Sequence, residues 1–191
     1  MNAFKTYLNA LSPISETTWA KLQTLFTEKP LKKGDYFAKN GEKAVYIGFL
    51  KSGVIRAFYT NEEGEEYNKH LFIPYTLVGA YSSLITGNPN LIAQQALTDC
   101  EMLVAEYAQM TQLYATYPDL ERMSRRYAEL SYVHKEAREI ELVLLDAEKR
   151  YALFQKQYPD LEQQITQYHI ASFLGVSATQ LSRIRKKMSQ K

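Results

Sequence analysis

The sequence predicts an α+β chain in three parts: a β-rich unit, a long helix, and a pair of short helices around a glycine. Three observations carry this. Between about Leu31 and Tyr107, short runs rich in valine, isoleucine, tyrosine and phenylalanine alternate with turn residues. From about Thr111 to Gln157 there is little glycine or proline apart from Pro118. Near the end, "HIASFLGVSATQLSRIRKK" joins a small apolar cluster, one glycine and a group of cations.

The first element is a helix over "ISETTWAKLQTLFTEK". Trp19, Leu22, Leu25 and Phe26 fall on one face, Ser15 or Thr17 can cap the start, and Pro30 is expected to break it. The segment "VYIGFLKSGVIRAFYTNEEGEEYNKHLF" then reads as strand, turn at Ser52-Gly53, strand, turn near Glu63-Gly64, strand. Gly79, "TGNPN" and Asp99 punctuate the residues from there to Tyr107. Strands at this spacing point to a β-sandwich or barrel-like unit.

Tyr117-Pro118-Asp119 reads as a helix start, because proline fits the first turn. The helix should run to about Leu145. Leu120, Met123, Tyr127 and Leu130, then Val133, Ala137, Ile140 and Leu144, form a coiled-coil-like seam with one irregular step. The alternative is a single amphipathic helix lying on its own β unit. Asp146 to Gln157 continues helical until "YPDL" interrupts it at Tyr158 to Leu161.

In the last segment, Ile170, Phe173 and Leu174 make an i, i+3, i+4 cluster before Gly175, which can take positive φ at a helix end. Ser177 and Gln180 form a capping-box pattern, and Leu181, Ile184 and Met188 give the next helix its buried stripe. The other face carries Thr179, Gln180 and Arg183 early and Arg185, Lys186 and Lys187 late. Polar forks that can meet base edges, with cations beyond them for phosphates, are the equipment a helix in the major groove needs. A helical hairpin whose cations complement the helix C-terminus would show the same residues.

Composition bounds the alternatives. Among 191 residues, 46% are hydrophobic and 13% aromatic, a globular balance, and the net charge of +2 allows only a local basic patch. The lone Cys100 excludes an internal disulfide and a cysteine-ligated iron-sulfur cluster. No apolar run approaches a membrane span, and the start lacks a secretory pattern, so a cytoplasmic location is expected, with no membrane partner. Motifs for nucleophilic, P-loop, zinc-protease or dinucleotide chemistry are missing, so no enzyme activity is expected. His70, His134 and His169 lie far apart in sequence and read as surface or packing residues, so neither a metal nor another cofactor is expected.

Through "IASFLGVSATQLSRIRK" and "KNGEKAVYIGFLKSGVIRAFYTNEEGEE", the chain resembles Crp/Fnr-type transcriptional regulators, the cyclic-AMP receptor protein superfamily. The resemblance covers nearly the full length, strongest at the C-terminal segment and weaker over Leu71 to Tyr107. It implies a jelly-roll-like β-roll sensor domain (a double-stranded β-helix) over 1–115. A dimerisation helix over 116–145 and a reduced winged helix-turn-helix over 146–191 complete the chain. The β hairpin that ends many members has no counterpart here. The resemblance implies a homodimer on double-stranded DNA at an inverted repeat, with RNA polymerase a further partner. The expected contact set is Ser177, Thr179, Gln180, Arg183, Arg185, Lys186 and Lys187. Arg183 matches the family's base-reading arginine. Ala178 and Thr179 replace an arginine and a glutamate of the best-known member, so the target sequence need not be shared.

Cyclic-nucleotide members hold the ribose with a glutamate and the phosphate with an arginine. Here "VGAYSSL" puts Ala80 at the glutamate position, and no arginine lies between Arg56 and Arg122. A buried phosphate without a cation is poorly compensated, so a small effector other than cyclic AMP is expected. Its candidate pocket comprises Gly79, Ala80, Tyr81, Ser82, Ser83, Gln94, Gln95 and His134; the same residues also read as ordinary strand and surface positions. The rival function is a small-molecule-binding β module with no DNA role.

Overall fold

The computed structural model describes residues 1–189. Its strands are β1 (Thr27–Leu31), β2 (Tyr36–Ala38), β3 (Tyr46–Ser52), β4 (Ile55–Thr60), β5 (Glu66–Phe72), β6 (Thr76–Val78), β7 (Ala93–Ala96) and β8 (Cys100–Glu106). They form two antiparallel four-stranded sheets, ordered β1-β8-β3-β6 and β2-β7-β4-β5. The helices are α1 (Asn2–Leu11), α2 (Glu16–Leu22), α3 (Tyr81–Thr86), α4 (Tyr107–Gln112), α5 (Pro118–Leu144), α6 (Ala147–Gln157), α7 (Leu161–Gln164), α8 (Gln167–Leu174) and α9 (Ala178–Met188). A 3-10 turn at Gln23–Leu25 extends α2.

Alternation along each strand sends neighbouring side chains to opposite faces. In the first sheet both faces are apolar. Leu50, Met102 and Val104 point between the sheets and join Leu31, Phe37, Ile55, Val78 and Ala96. Ile47, Phe49, Leu103 and Ala105 point outward into a second core built with Phe4, Leu8, Trp19 and Leu22 from α1 and α2, and with Leu120 and Met123 from α5. The space between the sheets is tightly filled around Gly48. A side chain there would begin 2.6 Å from Met102 Cε and 3.2 Å from Phe37 Cζ. Gly53, at φ +88°, makes the predicted β3–β4 turn, with the Asp99 carbonyl pressed against it.

The three predicted strands across "VYIGFLKSGVIRAFYTNEEGEEYNKHLF" are β3, β4 and β5. The first helix is shorter than the sequence predicts. It ends at Leu22, and Thr27–Leu31 is strand β1, with Pro30 inside it. Proline is tolerated there because β1 is an edge strand paired only with β8. The N-terminal helix α1 and the short helices α3 and α4 lie outside the elements read from sequence.

The long helix starts at Pro118, as predicted, and ends at Leu144. Asp119 in its first turn accepts from the Ser15 N–H at 2.7 Å and from the Thr18 hydroxyl at 2.7 Å, fastening α2 to α5. The seam divides in the middle. Leu120 and Met123 are buried against the chain's own β unit, with Tyr127 packed beside them, because the outer face of the first sheet needs cover. Val133, Ile140, Val143 and Leu144 remain exposed, the last two at 81% and 72%. The reading of a helix lying on its own β unit therefore holds for the first half, and the second half presents an apolar stripe to the outside.

Leu120→Ala should cost about 2–5 kcal/mol of unfolding free energy in urea, whereas Leu144→Ala should leave the midpoint of the same curve almost unchanged at low protein concentration.

Candidate nucleic-acid interface

The helical head begins at α6, which Leu145 and Asp146 separate from α5. Asp146 caps α6 by accepting from the Lys149 N–H at 2.9 Å. Tyr151 and Phe154 of α6 pack with Leu161, Ile170, Phe173, Leu174, Leu181 and Ile184. Gly175, at φ +68°, ends α8 and lets the chain turn. Ser177 caps α9: its Oγ accepts from the Gln180 N–H at 3.1 Å, and its own N–H donates to Gln180 Oε1 at 2.9 Å. The capping box and the Leu181/Ile184 stripe are as predicted, so one face of α9 is fixed inward.

The opposite face is open. Ser177, Ala178, Thr179, Gln180, Arg183, Arg185, Lys186 and Lys187 are all exposed. Their environments differ. Lys187 pairs with Glu148 at 2.5 Å, and Arg185 lies 3.8 Å from Glu162. Among the described residues, Arg183 and Lys186 have no carboxylate partner. Gln180 has its amide oxygen committed to the cap, which leaves only Nε2 to donate. A two-point contact with adenine needs both ends of that amide.

Side chains that sequence reasoning did not single out hold this face in place. Arg150 of α6 donates to three main-chain carbonyls: Leu145 at 2.6 Å, Leu174 at 3.0 Å and Leu142 at 3.4 Å. These carbonyls end α5 and α8, so one guanidinium fills acceptors that both helices leave bare. Arg138 of α5 donates to the Phe173 carbonyl, stacks 4.2 Å from the Phe173 ring centroid and pairs with Glu141 at 2.9 Å.

At its other end, α8 rests on the second sheet. Val54, Leu71 and Leu97 project from that sheet's outer face into the head's core. Beside them Arg56, only 4% exposed, stacks on Phe58 with 3.6 Å to the ring centroid. It pairs with Glu66 and donates to Gln95 Oε1 at 2.7 Å. Asn68 donates from its amide side chain to the His169 carbonyl at 2.9 Å and from its main chain to Ser172 Oγ at 2.9 Å. Ser172 in turn donates to the Glu66 carbonyl at 2.8 Å. The one readable signal was a charged residue set between Ile55 and Ala57 in an apolar strand.

The expected effector residues are not gathered into one pocket. Gly79 and Ala80 lead into α3, and Ser82 is exposed on it. Ser83 is buried and already satisfied, accepting from the Ala44 N–H at 3.0 Å and donating to the Asn88 carbonyl at 2.6 Å. Tyr81 turns toward Tyr107 and Tyr127 on the helical side of the first sheet. Gln95 faces outward to Arg56, and His134 is exposed on α5. Gln94 alone points between the sheets, buried and with its Oε1 unpartnered. Arg56, the nearest upstream arginine, is turned away from that interior. Beside Tyr81, Tyr114 and Ser124 line a cavity of about 20 Å³, room for roughly one water. Burial pushes the Tyr107 phenol there far up. Among the described residues no group of histidine, cysteine, aspartate and glutamate is placed to hold a metal ion.

The two-sheet roll, the long helix and the capped helix pair together form an architecture shared with solved structures of other proteins, and the fold implied by the sequence resemblance holds. Residues 28–117 match the family model of the cyclic nucleotide-binding domain. Over 98 residues the chain is 26% identical to the transcriptional activator protein Anr of Pseudomonas protegens, a match covering 51% of this chain and 39% of that protein. The structure of FixK2 from Bradyrhizobium japonicum superposes with a TM-score of 0.75 at 17% identity, covering 86% of this chain and 85% of the other. The c-di-GMP-responsive global regulator CLP of Xanthomonas campestris gives 0.70 at 18% identity, covering 92% of each chain.

Ser177→Ala removes the cap of α9 and should cost about 1 kcal/mol, read as a lower thermal midpoint. Arg183→Ala, on the exposed face, should leave that midpoint in place.

Proposed function

We propose that this protein is a sequence-specific DNA-binding transcriptional regulator acting as a homodimer on an inverted repeat. The observation that carries the reading is the exposed face of α9, with Thr179 and Arg183 open and, among the described residues, unpaired above a stripe fixed inward. Arg183 suits the O6/N7 edge of guanine, and Thr179 a neighbouring base. Lys186 and Arg185 suit phosphates. Ser177 and Gln180 serve first as the cap, with the free Gln180 Nε2 left to donate to DNA.

The dimer is the natural cover for Val133, Ile140, Val143 and Leu144, which run along the half of α5 that the β unit leaves bare. Pairing two copies along this stripe sets two heads on one side, with half-sites about one helical turn, roughly 34 Å, apart. RNA polymerase is the partner this reading adds if the regulator activates. A role on DNA carries with it a cytoplasmic location. Among the described residues no helix is long and apolar enough to cross a membrane.

The effector in this reading is not cyclic AMP or cyclic GMP. Ala80 offers no carboxylate for the ribose, the interior around Gly48 is filled, and the nearest arginine on β4 is turned to the outer face. A phosphate buried there would lack a cation, enough to move a micromolar ligand toward millimolar. Among the expected effector residues, Gln94 keeps an unused acceptor, its Oε1, for a hydrogen bond from a different small molecule.

Selection of bound sequences from a random DNA pool tests the whole reading; recovery of no motif would leave a ligand-binding module without a DNA role. Arg183→Ala should cost about 1–3 kcal/mol on the selected site and relax one base position. Lys186→Ala should weaken all sequences alike and lower the salt slope by about one. Ile140→Asp should yield monomers in sedimentation and lose DNA affinity with them. Calorimetry should show no micromolar binding of either cyclic nucleotide.

A further inference from the structure

The contact between β5 and α8 joins the β unit to the head through polar groups as well as apolar ones. At its centre is the ring of His169. Its Nδ1 lies 3.5 Å from Arg56 Nη1 and 3.4 Å from Asn68 Nδ2. Both neighbours are donors. The Asn68 amide is oriented by its other bonds, since Nδ2 also donates to the His169 carbonyl at 2.9 Å and Oδ1 faces Arg56 at 3.5 Å. The Nδ1 atom must therefore be the unprotonated acceptor of a neutral ring.

We propose that this cluster is an acid-released clasp: a proton on His169 Nδ1 turns the shared acceptor into a third donor and parts α8 from β5. The new cation would sit against Arg56, itself only 4% exposed, and like charges that close repel each other. The charged and titratable groups facing His169 are Arg56 from β4, Glu66 from β5, Lys33 from the turn before β2, and the neighbouring Tyr168 on α8. Glu66 is the one carboxylate among them, and it is already engaged by Arg56. Gln95 on β7 adds only an acceptor for the same guanidinium. The balance therefore opposes a second positive charge.

Burial first, and then Arg56, lower the His169 pKa to about 4 in the clasped state. A released ring titrates near 6.5. The clasp is then at full strength above about pH 6.5 and weakens as pH falls toward 4, because the released state binds the proton more readily. The proposal concerns the contact between the chain's own two lobes, so it stands apart from whether α9 reads DNA.

Hydrogen exchange reads the clasp directly, because the Asn68 N–H donates across it to Ser172 Oγ. In the full chain, its protection factor should fall about 30-fold between pH 7.5 and pH 5. The amides of Leu103 and Val104, inside the first sheet, should keep theirs. His169→Gln keeps an acceptor but cannot take the proton, and its Asn68 protection should stay nearly level over the same range. Constant protection in the unaltered protein would overturn the proposal. So would an equal loss in His169→Gln, or a loss at Leu103 in step with Asn68, which would be acid unfolding of the whole chain.

Discussion

Burial of the first sheet on both faces is the constraint on which most of this structure depends. β3 and β8 carry apolar side chains outward as well as inward, and a sheet surface of that kind cannot be left to water. Its inner face is met by the second sheet. Its outer face is met by α1, α2, α4 and the first turns of α5. The long helix is therefore not a free rod attached to a domain. Its first three turns are part of the β unit's core, with Leu120 completely buried, and beyond Tyr127 one side of it is exposed while Arg138 ties the other to the head.

The second sheet solves the same problem with a different partner. Val54, Leu71 and Leu97 face outward and are covered by the head. The two lobes thus share a core across β4, β5 and α8, and the buried guanidinium of Arg56 is matched there by Glu66, Gln95 and Asn68. Arg138 and Arg150 complete the attachment at the other end of α8, by filling carbonyls that helix ends leave unsatisfied. Three arginines from three elements converge on one short helix. A movement of the head relative to the roll must break charge-assisted hydrogen bonds at one end or the other.

How much of this was legible in the sequence depended on the range of the interactions. The capping box at Ser177, the glycine turn at Gly175 and the proline start at Pro118 are local, and their side chains act within a turn of themselves, so they could be read directly. The β3–β4–β5 run was legible for the same reason. Thr27–Leu31 was not, because its strand state comes from pairing with β8, a distant stretch of the chain. The long helix shows the limit of periodicity. Leu120 and Ile140 look alike in a heptad pattern, and only the tertiary structure reveals that one covers a sheet and the other faces outward. The open face of α9 could be inferred from its buried stripe. The arginines behind it could not, because each acts on main-chain or buried groups far along the chain, and nothing nearby in sequence marks them. The expected effector residues come together through the family resemblance, and alternation of faces along β7 parts Gln94 from Gln95.

The capping box has a consequence for how such a protein changes over time. The start of α9 is held by Ser177 and Gln180, and its inner stripe by Leu181 and Ile184. Ala178, Thr179 and Arg183 are used by neither. Those three positions can accept new side chains without unmaking the helix that displays them. Substitution at these three codons would therefore change the chemistry of the open face of α9 while the head keeps the same folding stability.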